Sequence, residues 1–148
     1  PSGTLRDPDR AILAEIGNAT RRIGAAIEDF QVRAAVGALM DLARSGNKYF
    51  NDEAPWSSFK VDRARCATTL NTTVQLLAAL AVLMEPFLPF SAEKLWRMLN
   101  APGSHHDQRW NDVPELRLPD GHPLGKREIL FSKIEDAIIE EQIAKLKK

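Results

Sequence analysis

Trp56 stands directly behind Pro55 at the end of the stretch NKYFNDEAPW, and no other side chain in the sequence has as much chemistry open to it. An indole can bury a large area as a core plug at a helix end. Left exposed, it offers a flat platform on which a stacked base gains about 1–3 kcal/mol, the way single-stranded RNA loops are read. Pro55 stiffens such a platform by restricting the chain around it. Asn47, Lys48 and Asn51 lie within about two helical turns before the tryptophan and can supply hydrogen bonds or a phosphate contact. The residues alone leave both roles of Trp56 open.

Other reactive side chains offer less. His105, His106 and His122 lie far from the single cysteine, Cys66, so they read as loop histidines and no metal site is predicted. Ser57-Ser58 has no histidine nearby to activate a nucleophile. No Gly-rich loop joins a strand to a helix, so a phosphate cradle is not expected. The carboxylates of IEDAIIEEQ read as a solvated helix face.

The elements that must position Trp56 are helices. Asp7-Pro8 is a helix start, with Asp7 as cap, and Ile12, Ile16, Ala19, Ile23, Ala26 and Phe30 recur at helical spacing up to a break near Glu28-Asp29. A second stripe runs through Val32, Val36, Leu39, Ala43 and Phe50, with Gly46 on the same face to admit a close neighbour. Pro55 stops that helix, and residues 57–61 read as a loop. Asp62 caps a third helix that is apolar over two adjacent stripes, one of them through Leu70, so it belongs at the centre. Pro86 and Pro89 end it. Ser91 caps a short fourth helix with Leu95, Trp96 and Leu99 facing in. A last helix starts near Ser132, its stripe being Ile134, Ile138 and Leu146, widened by Ile139 and Ile143. The prediction is an all-α bundle of about five helices, over residues 8–28, 31–51, 63–85, 91–99 and 132–147, with a long loop at 100–128 in which Trp110 covers the bundle end.

At 148 residues the chain can build a core without disulfides, and its 44% hydrophobic and 27% charged residues suit a globular domain. Lys plus Arg balance Asp plus Glu, so any nucleic-acid contact must come from a local patch and not a global basic field. The lone Cys66 suits a reducing compartment such as the cytoplasm. The most apolar run, VQLLAALAVLMEPFLPF, is short and interrupted by Gln75, Glu85, Pro86 and Pro89, so no membrane span and no membrane partner are predicted. A start at Pro1 without methionine and an end on KLKK read as a piece of a longer chain; the terminal lysines read as a solvated helix end.

Three segments in order, LARSGNKYFNDEAPW, LMEPFLPFSAEKLW and GHPLGKREILFSKIED, resemble the helical anticodon-binding domain of methionyl-tRNA synthetases. The similarity runs from about Asp29 onward, and the Asn-x-Tyr to Ala-Pro-Trp segment is its most specific part. The resemblance implies that Trp56 stacks on the first base of a CAU anticodon, with Pro55 as brace and Asn47 and Lys48 on the RNA-facing surface. It implies tRNA and the rest of the parent synthetase as partners, and a parent that joins methionine to tRNA with ATP and Mg²⁺. The signature segments that bind ATP in class I synthetases are absent here, so this stretch is expected to carry no catalytic residue and no cofactor. The family's other anticodon readers are an Asn and an Arg four positions apart, far enough ahead of the tryptophan to precede Pro1. The same spacing in Asn18 and Arg22 is therefore read as coincidence, and the domain's first helix as missing. Asn51 stands where the family carries an acid, a role Asp52 can take over. The rival readings are the anticodon domain of another class I synthetase, from which Ala54-Pro55-Trp56 discriminates, and a helical protein-interaction module with Trp56 or Trp110 as its anchor.

Overall fold

The computed structural model describes residues 3–132 and 134–146. Their regular structure is helical: α1 (Asp7–Glu28), α2 (Val32–Glu53), α3 (Pro55–Val61), α4 (Arg63–Leu83), α5 (Pro89–Met98) and α6 (Asp136–Leu146), with 3-10 turns at His105–Asp107 and Trp110–Glu115. The all-α bundle matches the prediction, with one added helix. Residues 57–61, read as a loop, complete α3, because Pro55 serves twice: it ends α2 and fits the first position of the next helix, where its missing N–H costs nothing.

In α1 the stripe Ile12, Ile16, Ala19 and Ile23 is buried as predicted. Asp7 is the first helical residue and not the cap; instead the Arg6 backbone N–H donates to Asp9 Oδ2 at 2.7 Å. Phe30, predicted to extend the stripe, is exposed, since the helix ends at Glu28 and the positive φ of 56° at Phe30 turns the chain outward. In α2 the inward face is Ala35, Ala38, Leu39, Leu42, Gly46 and Tyr49, while Val32 and Val36 face solvent. Small residues occupy that face because α2 lies close against its neighbours. A Cβ on Gly46 would stand 2.2 Å from Leu76 Cδ2 of α4, so the predicted close approach at Gly46 is present.

The bundle is organised on α4, which contacts α1, α2, α3 and α5. Every residue from Leu76 to Leu83 except Leu77 is buried, although Leu70, placed in its predicted stripe, is exposed. Asp62 caps α4 as predicted, its Oδ1 accepting from the Arg65 N–H at 2.9 Å. Among the described residues α4 is the one helix long and apolar enough to cross a membrane, and 67% of that window is buried inside the bundle.

Helix α5 begins at Pro89, with Ser91 inside its first turn and not at its cap. Leu95, Trp96 and Leu99 are buried as predicted, and the Trp96 indole N–H donates to the Gly103 carbonyl at 3.1 Å. The long loop is tied to the core by Gln75. Its Nε2 donates to the Leu118 carbonyl at 3.0 Å and its Oε1 accepts from the Leu118 N–H at 2.8 Å. Trp110 covers the C-terminal half of α1 and not the bundle end, donating to the Thr20 carbonyl at 3.1 Å beside Gly24. Helix α6 begins at Asp136, later than predicted, and Ile134, Ile138, Ile139, Ile143 and Leu146 are all exposed. Lys145 pairs with Glu141; Lys147 and Lys148 lie outside the described residues.

Candidate nucleic-acid interface

Three helix ends meet in a cluster that includes Glu53, the last residue of α2. Asp9 comes from the first turn of α1, Tyr49 and Glu53 from the last turns of α2, and Arg65 from the first turn of α4. The Arg65 guanidinium grips the fully buried Asp9 carboxylate in a two-pronged pair, Nη1 to Oδ2 at 2.6 Å and Nη2 to Oδ1 at 2.7 Å. Tyr49 donates its hydroxyl to Asp9 Oδ1 at 2.5 Å. Arg65 also reaches Glu53 Oε2, through Nη2 at 2.6 Å and Nε at 3.1 Å. Burial acts to raise the Asp9 pKa, but hydrogen bonds from Arg65, Tyr49 and the Arg6 backbone outweigh it and bring it down to about 2. Burial and the bond to Asp9 push the Tyr49 phenol up to about 12. The hydrogen bond to Asp9 holds Arg65 above its ordinary range. The Asp9–Arg65 pair is therefore ionic at neutral pH, and Tyr49 joins it as a neutral phenol that donates its proton.

The chain leaves this anchor through a forced turn. Ala54 adopts the left-handed conformation, φ 40° and ψ 63°, a costly state for a residue with a Cβ. Pro55 is buried and Trp56 is 55% exposed, edge-on to Phe50 with ring centroids 5.8 Å apart. One helical turn on, Phe59 is equally exposed, with the Arg63 guanidinium 5.1 Å from its ring centroid. The corner thus displays two open aromatic faces and a cation, the side-chain types that accept stacked bases and phosphates.

Asn47 is exposed on α2, one turn before Phe50 and so on the face that leads to Trp56. Lys48 is exposed too, but its ammonium is held by Asp52 at 2.5 Å, and both line a groove of about 350 Å³ between α1 and α2. The Lys48–Asp52 contact is a solvent-exposed pair one turn apart on the same helix. Asn18 and Arg22 are engaged on the outer surface of α1, Asn18 accepting from Arg21 at 2.6 Å and Arg22 pairing with Asp41 at 3.3 Å.

Sequence reading missed Phe59 and Arg63, because their spacing from Trp56 matters only once residues 57–61 are helical. It also missed Asp9, Tyr49, Glu53 and Arg65 as a unit. One signal was available: Arg65 shares helical spacing with Thr68, Thr69 and Thr72, all buried, which aims a charged group inward.

Solved structures share this fold. The chain superposes on the crystal structure of the free-state Mycobacterium tuberculosis methionyl-tRNA synthetase with a TM-score of 0.80 and 28% identity, covering 90% of this chain and 27% of that one. It is 42% identical to a methionine–tRNA ligase of Parabacteroides distasonis and 44% identical to one of Bacteroides fragilis, over 98% of this chain in each case. It spans 21% of the length of either relative. An all-helical bundle of this order is thus the architecture of an aminoacyl-tRNA synthetase's anticodon-binding module. The chain belongs to the family of anticodon binding domains of methionyl tRNA ligase, whose model matches residues 1–147. That match decides against the rival class I synthetases.

Proposed function

We propose that residues 1–148 form the domain with which a methionine–tRNA ligase reads the CAU anticodon of its tRNA, and that Trp56 is the platform on which an anticodon base stacks. Pro55 braces the platform from beneath, and Asn47 offers an amide on the same face. Lys48 supplies a phosphate contact once it exchanges Asp52 for RNA, and Phe59 with Arg63 extends the surface by one helical turn. The observation that carries this reading is a tryptophan held half in solvent directly after a buried proline, where α2 leaves the ionic cluster at Glu53. Stacking needs an open ring in a fixed place, and the corner supplies both.

The parent enzyme then attaches methionine to tRNA in the cytoplasm, using ATP and Mg²⁺ held by the rest of the synthetase. A related synthetase from Mycobacterium tuberculosis has been solved with bound methionyl-adenylate. This domain's part is to bind and orient the tRNA. In the full-length ligase, Trp56→Ala is expected to lower kcat/KM for tRNA charging about ten- to a hundredfold while methionine activation without tRNA is unchanged. Unchanged charging by a folded variant would remove Trp56 from the site. Equal binding of CAU and unrelated anticodon loops at moderate salt would reduce the interaction to phosphate contact alone.

A further inference from the structure

Away from the Trp56 corner, the turn after α4 and the first 3-10 turn bring three metal-ligand side chains together. Glu85 follows α4, and His105 and His106 open the 3-10 turn His105–Asp107. His106 Nδ1 is in close contact with Glu85 Oε1, and His105 Nε2 lies 3.9 Å from the same oxygen. The two rings lie against one another with centroids 3.9 Å apart. One ligand atom from each residue falls within 4.8 Å of the others.

His105 supplies a second, independent observation. It is 2% exposed, yet its Nε2, which faces Glu85, has no hydrogen-bond partner. A buried ring nitrogen without a partner is rare and calls for an explanation. His122 does not join the cluster; its Nε2 bonds with the Leu99 carbonyl at 2.8 Å.

We propose that Glu85, His105 and His106 form a binding site for a divalent transition-metal ion of the Zn²⁺ class. Two imidazoles and one carboxylate are the donors such an ion takes, whereas Mg²⁺ and Ca²⁺ favour oxygen alone. Ligand atoms at about 2.0–2.2 Å from a tetrahedral Zn²⁺ stand roughly 3.4 Å apart, close to the His105–Glu85 spacing. Glu85 swings slightly away from His106 to admit the ion, which its partly exposed position in the α4–α5 turn permits. The ion enters past His106, whose ring is mostly open to solvent, and a water completes the fourth position. Its effect is structural: it clamps the long loop, and with it Trp110 on α1, to the C-terminal end of α4.

The test compares the full-length protein with its His106→Ala and Glu85→Gln variants, both altered at accessible side chains so that folding is preserved, as a thermal melt checks. Each is dialysed against micromolar Zn²⁺ and its metal content measured, so that any ion bound elsewhere cancels in the difference. The wild type is expected to hold about one equivalent more than either variant, to gain several degrees in Tm with Zn²⁺, and with Co²⁺ to show visible absorption that the variants lack. Equal metal content in all three proteins, or Zn²⁺ binding that neither substitution weakens, overturns the proposal and leaves the cluster a carboxylate–histidine contact.

Discussion

The α2–α3 corner and helix α6 both expose large hydrophobic side chains, and the reasons differ. At the corner, Trp56 and Phe59 stand open on a backbone that the interior constrains: Pro55 is buried, and Asp9, Tyr49, Glu53 and Arg65 lock together the ends of α1, α2 and α4 from which the chain enters the corner. In α6 the stripe from Ile138 to Leu146 is 46–87% exposed, and among the described residues no comparable network ties the helix to the bundle. Exposure at the corner is imposed by what is buried behind it, whereas in α6 it reflects an apolar face that the described residues leave uncovered. A position imposed in that way can be precise enough to read a base.

The corner should lose most when the network beneath its stability is cut. Arg65→Met leaves the Asp9 charge buried and unpaired, and a loss of about 3–5 kcal/mol in unfolding stability is expected by urea denaturation. Acid tests the same contact without mutation. The Asp9 pKa is depressed from 3.8 to about 2, so its contribution is fully present above about pH 4 and is lost as pH falls through about 2. That window should cost about 2 kcal/mol, visible as an acid shoulder in a pH-dependent melt that Asp9→Asn removes. Gly46→Ala, which forces Leu76 away from α2, is expected to cost about 1–3 kcal/mol in the same assay.

Smaller effects sharpen the contrast. Trp56→Ala removes a side chain that is already 55% exposed, together with its edge-on contact with Phe50, so stability should fall by only about 1–2 kcal/mol, even though charging falls much further. Ile143→Ser in α6 should change stability by less than about 1 kcal/mol, because the side chain is already half exposed and sits on a helix face outside the buried core. A large loss from Ile143→Ser in the full-length protein would mean that the α6 stripe is covered there.

Much of the bundle was legible in local pattern. The stripe of α1, the breadth of α4, the Asp62 cap and the inward Leu95, Trp96 and Leu99 all follow from helical periodicity and capping, which are properties of neighbouring residues. Reading failed where the outcome hung on distant residues. Val32 and Val36 are better apolar candidates than Ala35 and Ala38, yet close helix packing selects the smaller pair. Ser57 to Val61 is too short a segment for periodicity to register, and it is helical because Pro55 and Asp62 bracket it.

Periodicity, proline and capping act over a few residues, and they are enough to specify an all-helical domain with Asn47 to Trp56 as its unusual segment. Packing across the bundle is what turns Tyr49 inward and Trp56 outward, and what leaves Lys48 paired with Asp52 along the α1–α2 groove. The physical reason is a contact between residues far apart in the chain. Asp9 and Arg65 meet across the bundle, and the charge they bury together sets the direction in which α2 must end.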